Sequence, residues 1–343
     1  MDHGLALIDG KYPVGNRKLG YLSGLGKGIG FTGFKAELSN ATTSKYPDDT
    51  WGSEPASLVE LAQKTPMADF LADAAIGFYA FNTFSIAVGT DNPWNNIVWS
   101  TAVGDAIEAE FYDLCVHLRD TYNKEITLQS WESDWQLLNA FDPTKGVPLT
   151  HLAAFRDWHR RRIRAMRQAI ADTAGSSCTL YYAIECNRVL DDYGRRVHRD
   201  VLRNVLKDVP FARVHGSIYE AIEGWLTISS QGALEADIDT KLNRWIDRVK
   251  AVLPTTPIVF GEYGFPVDVP YFPGTISAPA LHAKIISVGD ARGVVAEYPW
   301  QCTDNEEQSP GVPRGFGFWL RNGSSSTVGA ISDVGAYYRD NVL

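Results

Sequence analysis

Short apolar runs alternate along this chain with amphipathic segments of helical periodicity, and this alternation limits the possible fold more than any other feature. Such alternation is typical of parallel sheets whose strands are joined by crossover helices. We predict strands at Gly28–Leu38, Ile76–Ser85, Ile126–Trp131, Cys178–Val189, Ala212–Ile222, Ile258–Glu262 and Gly293–Trp300, with a glycine-rich candidate at Leu19–Leu25 before them. We predict helices at Ser57–Leu71, Ala102–Tyr122, Leu149–Asp172, Arg195–Lys207, Asp237–Val252 and Ala278–Val288. This order predicts an α/β fold, the (β/α)8 TIM barrel.

The length of the chain fits one such barrel. A (β/α)8 barrel takes roughly 250 residues before insertions. The 343 residues of this chain therefore predict a single domain over 1–343 with elaborated βα loops.

Two glutamates lie where predicted strands end. The run P-I-V-F-G-E-Y-G at 257–264 places Glu262 between two glycines, and the run I-T-L-Q-S-W-E-S-D-W at 126–135 places Glu132 between Trp131 and Trp135. Barrel enzymes carry their catalytic groups at these carboxyl ends of the strands. Glycoside hydrolysis needs two carboxyl groups, one to protonate the departing oxygen and one to attack the anomeric carbon or direct water at it.

Counting back from the last predicted strand assigns each candidate to a strand. Glu262 falls on strand seven, Tyr219 on strand six, Glu185 on strand five and Glu132 on strand four. Glutamates at the ends of strands four and seven give the chain a layout that resembles the clan A glycoside hydrolases, the retaining "4/7" barrels.

One short motif and two aromatic residues carry this resemblance, which covers the chain from about Gly28 to Leu320. The G-E-Y-G at Gly261–Gly264 is similar to the element that often ends strand seven in that clan. Trp300 matches the Trp that floors the sugar-binding subsite, and Tyr219 matches a Tyr that contacts the nucleophile. The resemblance implies a carbohydrate substrate, a β-linked glycan or glycoside, and no cofactor.

The resemblance also implies a double displacement with Glu262 as nucleophile and Glu132 as acid/base. We expect a raised pKa for Glu132 because of its apolar Trp neighbours and nearby negative charge. One feature departs from the clan, which has Asn directly before the strand-four acid. Here Trp131 precedes Glu132, and the Asn follows Glu185 as Asn187. If a strand is miscounted, Glu185 becomes the acid and Glu132 a binding residue.

Other side chains are candidates for contact with the sugar. Trp131, Trp135, Trp300 and Trp94 would pack on the apolar faces of sugar rings. The candidates for polar contacts are Glu185, Asn187, His215, Tyr219 and Lys35. For His215 the alternative is a place in the core.

Lys35 has two further interpretations. A lysine at an early strand end would suit a Schiff-base aldolase. The more ordinary role is an ion pair, and we expect Glu37 as its partner.

Composition limits the partners. A net charge of -9 argues against nucleic acid as a partner, so we interpret the arginine-rich stretch Arg160–Arg164 as the solvated face of a barrel helix. No apolar run is long enough for a membrane span. We therefore expect a soluble protein without a signal peptide in this sequence, with compartment and oligomeric state open. Four cysteines without C-x-x-C spacing predict buried free thiols.

Other functional classes compete with a glycosidase. A metal-dependent hydrolase would need clustered ligands such as H-x-H, and this sequence has none. A non-catalytic carbohydrate-binding barrel would keep the aromatic groove without turnover, and the sequence leaves that alternative open.

Overall fold

Eight parallel strands close into a barrel. A computed structural model of the chain describes residues 1–7, 18–89, 99–138, 149–190, 205–265, 276–300, 302, 307–309, 312–313, 317–321 and 328–343. The strands are β1 (Asp2–Ala6), β2 (Gly33–Leu38), β3 (Phe78–Thr83), β4 (Glu125–Ser130), β5 (Thr179–Cys186), β6 (Arg213–Ser217), β7 (Ile258–Tyr263) and β8 (Ala296–Pro299). Each strand pairs with the next, and β8 pairs with β1, so the sheet has no edge. The predicted (β/α)8 barrel is confirmed.

Helices link the strands around the outside. They are α1 (Leu19–Ile29), α2 (Thr42–Lys45), α3 (Leu58–Gln63), α4 (Thr65–Ala72), α5 (Thr101–Thr121), α6 (Ser133–Leu138), α7 (Leu149–Asp172), α8 (Tyr219–Ile222), α9 (Gln231–Val252), α10 (Ala278–Arg292) and α11 (Asp333–Asn341). Single 3-10 turns lie at Asp49–Trp51, Leu206–Asp208 and Glu223–Leu226. After β8, β9 (Glu307–Ser309) pairs with β10 (Val312–Pro313), and β11 (Trp319–Arg321) pairs with β12 (Val328–Ile331).

The beginning of the chain differs from the prediction. The candidate strand Leu19–Leu25 lies in helix α1, and the first strand of the barrel is Asp2–Ala6. Packing requires one of the glycines of α1, Gly26, because an added Cβ there would be 2.4 Å from a carbon of the Phe34 ring. The strand predicted from Gly28 begins only at Gly33.

Two later boundaries also differ. The strand predicted at Ala212–Ile222 ends at Ser217, and the chain turns into α8 from Tyr219. Most of the helix predicted at Arg195–Lys207 lies outside the described residues. Its last part, from Leu206, is a 3-10 turn.

Aromatic rings fill the lower part of the barrel. Phe78 and Tyr298 pack edge to face with their ring centroids 6.0 Å apart. The neighbouring strands carry glycines here, since a Cβ on Gly33 of β2 would lie 2.1 Å from the Phe78 ring and a Cβ on Gly4 of β1 would lie 2.4 Å from the Tyr298 ring. The catalytic candidates lie toward the carboxyl ends of the strands, above this apolar floor.

The arginine-rich stretch lies on α7, which packs against α5. Arg161 pairs with Asp105, Glu108 and Asp157. Arg162 differs from the expected solvated face because it is only 2% exposed. Its guanidinium donates to the carbonyl oxygen of Thr83 at 2.9 Å and lies over aromatic rings of the α5–α7 layer.

All four cysteines are buried and free, as predicted. Within the described ranges, none of the helices is both long and apolar enough to cross a membrane.

Candidate active site

Three glutamates meet at the carboxyl ends of the strands. Glu132 follows β4, Glu185 is the second-last residue of β5, and Glu262 is the second-last residue of β7. Their exposed fractions are 8%, 0% and 3%. Buried carboxylates require charged or hydrogen-bonding partners, and these partners define the site.

A bulge in β7 turns Glu262 toward the site. Phe260 is aligned with Gly216 of β6 and Glu262 with Ser217, which leaves Gly261 as the extra residue on β7. A bulge of this kind redirects the following side chain. Only glycine fits here, because a Cβ would lie 2.5 Å from a carboxylate oxygen of Glu185.

Lys35 of β2 lies between two of the glutamates. Its Nζ is 2.5 Å from Oε1 of Glu185, 2.7 Å from Oε1 of Glu262 and 3.1 Å from the carbonyl oxygen of Gly261. These contacts take all three N–H donors of the ammonium group. Burial alone would lower the pKa of Lys35, but the charges of Glu185 and Glu262 outweigh it and raise the pKa.

The predicted pair between Lys35 and Glu37 is wrong. Glu37 pairs instead with Lys45 and accepts a hydrogen bond from Ser39 Oγ at 2.6 Å. A Schiff-base lysine needs a free amine, so an ammonium held by two carboxylates does not suit that chemistry.

Glu132 has a different environment. Its Oε1 accepts hydrogen bonds from Asn187 Nδ2 at 2.7 Å and from Ser217 Oγ at 2.8 Å. Burial raises its pKa well above the usual value, and the charges of Glu262 and Glu185 add to the rise. This carboxyl group therefore favours the protonated form.

The backbone of Glu132 is strained. Its φ of +28° is rare for any residue except glycine. The Glu132 amide donates to Oε2 of Glu185 at 3.3 Å, and its carbonyl accepts from the amides of Trp135 and Gln136 at the start of α6. Surrounding contacts of this kind hold a strained backbone at functional sites.

Asp134 holds the loop after β5 against α6. Its carboxylate accepts from the backbone amide of Asn187 at 3.1 Å and from that of Arg188. These bonds position the Asn187 side chain beside Glu132. The side-chain amide beside Glu132 is therefore that of Asn187, which directly follows β5, and the residue before Glu132 is Trp131.

His215 lies inside the barrel with an exposed fraction of 1%. Its ring stacks on Tyr298 with centroids 6.2 Å apart, and neither ring nitrogen has a hydrogen-bond partner among the described residues. Burial and the nearby cations Lys35 and Arg213 lower its pKa well below the usual value, so the imidazole is neutral.

The described aromatic candidates are half-buried and follow the carboxyl ends of β4, β6 and β8. Trp131 and Trp135 flank Glu132, and the Arg188 guanidinium lies 6.0 Å from the Trp135 ring centroid. Trp300 directly follows β8, and its amide donates to the carbonyl oxygen of Tyr263 at 2.6 Å. Tyr219 begins α8, two residues after β6 ends. Trp94 lies outside the described residues.

Sequence reasoning missed Ser217. It lies two residues after His215 on β6, and residues two apart on a strand face the same side. The alternation of side chains along this strand would have identified Ser217 as the next residue after His215 on the inward face.

The described His, Cys, Asp and Glu residues form no group of three suited to a metal ion.

Comparisons with known structures identify the same architecture. A β-glycosidase superposes with a TM-score of 0.59 at 13% identity, covering 94% of this chain and 84% of that one. A family 5 xyloglucanase from Paenibacillus pabuli gives 0.58 at 13% identity, covering 99% and 97%. A Bacteroides uniformis β-glucuronidase gives 0.58 at 12% identity, covering 98% of this chain and only 34% of that one. No protein-family model and no curated protein matches the sequence. These structures share the fold of this chain, an eight-stranded parallel (β/α)8 barrel.

Proposed function

We propose that the protein is a retaining glycoside hydrolase with Glu262 as nucleophile and Glu132 as acid/base. The observation that carries this proposal is the contrast between two buried carboxyl groups at the ends of β4 and β7. Burial and the charges of Glu262 and Glu185 raise the pKa of Glu132, whereas Glu262 sits beside the Lys35 ammonium. Such a contrast suits one proton donor and one ionised nucleophile.

The first step joins Glu262 to the sugar. A carboxylate oxygen of Glu262 attacks the anomeric carbon while the bond from that carbon to the departing oxygen breaks. Glu132 transfers its proton to this oxygen, so the aglycone leaves neutral. Glu132 is then ionised, and Glu262 is an ester.

The second step releases the sugar. Glu132 takes a proton from water as the water oxygen attacks the anomeric carbon, and the ester bond to Glu262 breaks. Both carboxyl groups return to their starting states. Two inversions at the anomeric carbon give net retention.

Glu132 suits the acid role better than Glu185. Glu185 is fully buried, and its Oε1 lies 2.5 Å from the Lys35 ammonium. Glu185 is thus engaged with Lys35 and has no exposed surface that a departing oxygen could reach. The neighbours of Glu132, Asn187 and Ser217, are neutral.

The substrate we propose is a β-linked glycan or glycoside. Trp131, Trp135 and Trp300 follow the carboxyl ends of β4 and β8 and are half-buried, which leaves aromatic surface for the apolar faces of sugar rings. The similar structures are named as a β-glycosidase, a xyloglucanase and a β-glucuronidase, all of which act on sugars. The donors of Lys35 are already taken, so we assign it to the carboxylates rather than to the sugar.

Product stereochemistry tests this function. A panel of aryl β-glycosides is incubated with the protein, and proton NMR follows the first anomer released. Retention predicts the β-anomer first, followed by mutarotation. The α-anomer first would contradict the double displacement. Binding of oligosaccharide without product from any panel member would favour a non-catalytic carbohydrate-binding barrel.

A further inference from the structure

A third glutamate links the two proposed reacting groups. Glu185 is 0% exposed, so it offers no surface to a substrate, yet it contacts the supports of both Glu262 and Glu132. We propose that Glu185 is a positioning residue for both reacting carboxyl groups, holding Glu262 through Lys35 and Glu132 through its backbone amide. This inference rests on the function proposed above and deepens it.

One oxygen of Glu185 acts on the nucleophile side. Glu185 Oε1 lies 2.5 Å from Lys35 Nζ, which in turn lies 2.7 Å from Glu262 Oε1. The third donor of Lys35 goes to the carbonyl oxygen of Gly261, directly before Glu262. An ammonium fixed by three acceptors has one position, and it fixes the Glu262 carboxylate in turn.

The other oxygen acts on the acid side. Glu185 Oε2 accepts the Glu132 amide hydrogen at 3.3 Å, at the residue whose φ is +28°. A strained backbone persists only where its surroundings hold it. Glu185 therefore helps keep Glu132 in the conformation that brings its carboxyl group to Asn187 and Ser217.

Charge gives Glu185 a further task during the reaction. Formation of the ester removes the negative charge of Glu262, and Lys35 would then be a buried cation without a counterion. An unpaired buried charge is costly, and an unpaired ammonium near Glu132 would favour its ionised form. Glu185 keeps a negative charge beside Lys35 in both steps.

Several charged or titratable groups face this network from different elements. They are Lys35 of β2, Glu185 of β5, Glu262 of β7 and Asp134 of α6, with His215 of β6 close to Lys35. His215 is neutral, so it adds no charge. Replacing Glu185 by a neutral residue removes a negative charge and leaves Glu262 as the one remaining carboxylate partner of Lys35. Both changes make the surroundings of Glu132 more positive, so both lower its pKa.

The test measures Glu132 directly and does not need turnover. Protein labelled with ¹³C at the glutamate carboxyl carbon is titrated by NMR, and the Glu132 signal is identified by its loss in Glu132→Gln. In Glu185→Gln we expect the Glu132 midpoint to move to lower pH by about one unit. The matched control is Glu125→Gln, at the amino end of β4 and paired with Arg213, where we expect no movement. An unmoved midpoint in Glu185→Gln overturns the inference.

Activity provides a second measurement. In Glu185→Gln we expect kcat to fall about tenfold or more with little change in KM, and the alkaline limb of the pH profile to move to lower pH. Unchanged kcat and pH profile in an active enzyme would overturn the inference while the proposed function stands. If the wild-type protein is inactive but the Glu132 midpoint still moves in Glu185→Gln, the proposed hydrolase function is rejected. The inferred link between Glu185 and Glu132 then stands.

A second variant keeps the inference testable if Glu185→Gln folds poorly. Glu185→Asp keeps the charge but withdraws the carboxylate by one methylene. We expect it to lower kcat while moving the Glu132 midpoint less than Glu185→Gln does. Wild-type kcat in Glu185→Asp would contradict a positioning role.

Discussion

The Nζ of Lys35 lies 2.7 Å from Oε1 of Glu262, although 227 positions separate the two residues in the sequence. Both are buried, and the lysine also binds Glu185. A closed barrel brings inward-facing residues of β2 and β7 together around its axis, which is how such distant residues meet. The pair gives the proposed nucleophile a fixed cation beneath it.

We predict that Lys35→Met strongly destabilises the protein. The change leaves two carboxylates buried without their cation, which typically costs about 3–5 kcal/mol. The double variant Lys35→Met/Glu185→Gln removes one of these charges and should recover part of the loss. Urea unfolding measures both.

The matched control is Lys284→Met, which breaks the pair with Asp239. These two side chains are 31% and 48% exposed, so this loss should be below about 1 kcal/mol. A double variant no more stable than Lys35→Met would contradict the account of the network.

We predict that Glu132→Ala harms poor leaving groups most. Without the proton donor, an alkoxide must depart unaided, whereas an activated phenolate leaves readily. Values of kcat/KM for aryl glycosides of rising leaving-group pKa should fall steeply in the variant. Added azide should raise the rate for activated substrates, because it replaces the water that Glu132 would activate. Equal losses across the series would move the acid role away from Glu132.

We predict that Glu132→Gln stabilises the protein at neutral pH. The folded state raises the pKa of Glu132 above its usual value of 4.5, so the folded state binds the proton more tightly than the unfolded state. Wild-type stability therefore falls as the pH rises from that value through the folded pKa. A glutamine does not ionise, so its contribution to stability does not fall with rising pH. Its side-chain oxygen still accepts hydrogen bonds from Asn187 and Ser217.

Thermal unfolding between pH 4 and pH 8 tests this. We expect the two proteins to be alike at the acid end and the variant to gain roughly 2 °C or more at the alkaline end. A variant that is less stable at every pH would show that Glu132 is ionised in the folded protein.

Much of the fold could be predicted from the sequence. Strands β3, β4, β5, β7 and β8 and the long helices α5, α7, α9 and α10 lie where apolar periodicity places them, because burial on one or both faces determines their pattern. The count that assigned Glu132 to strand four and Glu262 to strand seven is confirmed. Strand β1 was missed because it has only five residues, two of them Asp2 and His3.

The connections within the site could not be predicted in the same way. Lys35 was expected to pair with its sequence neighbour Glu37, but residues 150 and 227 positions away hold it. Such contacts depend on barrel closure, which no local pattern encodes. The strain at Glu132 likewise arises from the helix that starts directly after it.

We predict that Gly33→Ala destabilises the barrel floor. The new Cβ would lie 2.1 Å from the Phe78 ring, inside a filled interior, and overpacking of this kind costs about 1–3 kcal/mol. The control is Gly24→Ala, an exposed position in the middle of α1 with no atom within 4 Å of an added Cβ. That change should stabilise by about 0.5–1 kcal/mol, because alanine favours helix. Equal unfolding temperatures for the two variants would contradict the packing described.

We predict that Glu262 forms a covalent bond to the sugar. A 2-deoxy-2-fluoro glycoside with an activated leaving group slows the second step more than the first, so the ester accumulates. The sugar used is the one that the protein hydrolyses best, and Glu262→Gln serves as the control that cannot be labelled. Peptide mass spectrometry should find one fluorosugar on Glu262 in the wild-type protein. A label on Glu132 or Glu185, or turnover without any label, would contradict the account.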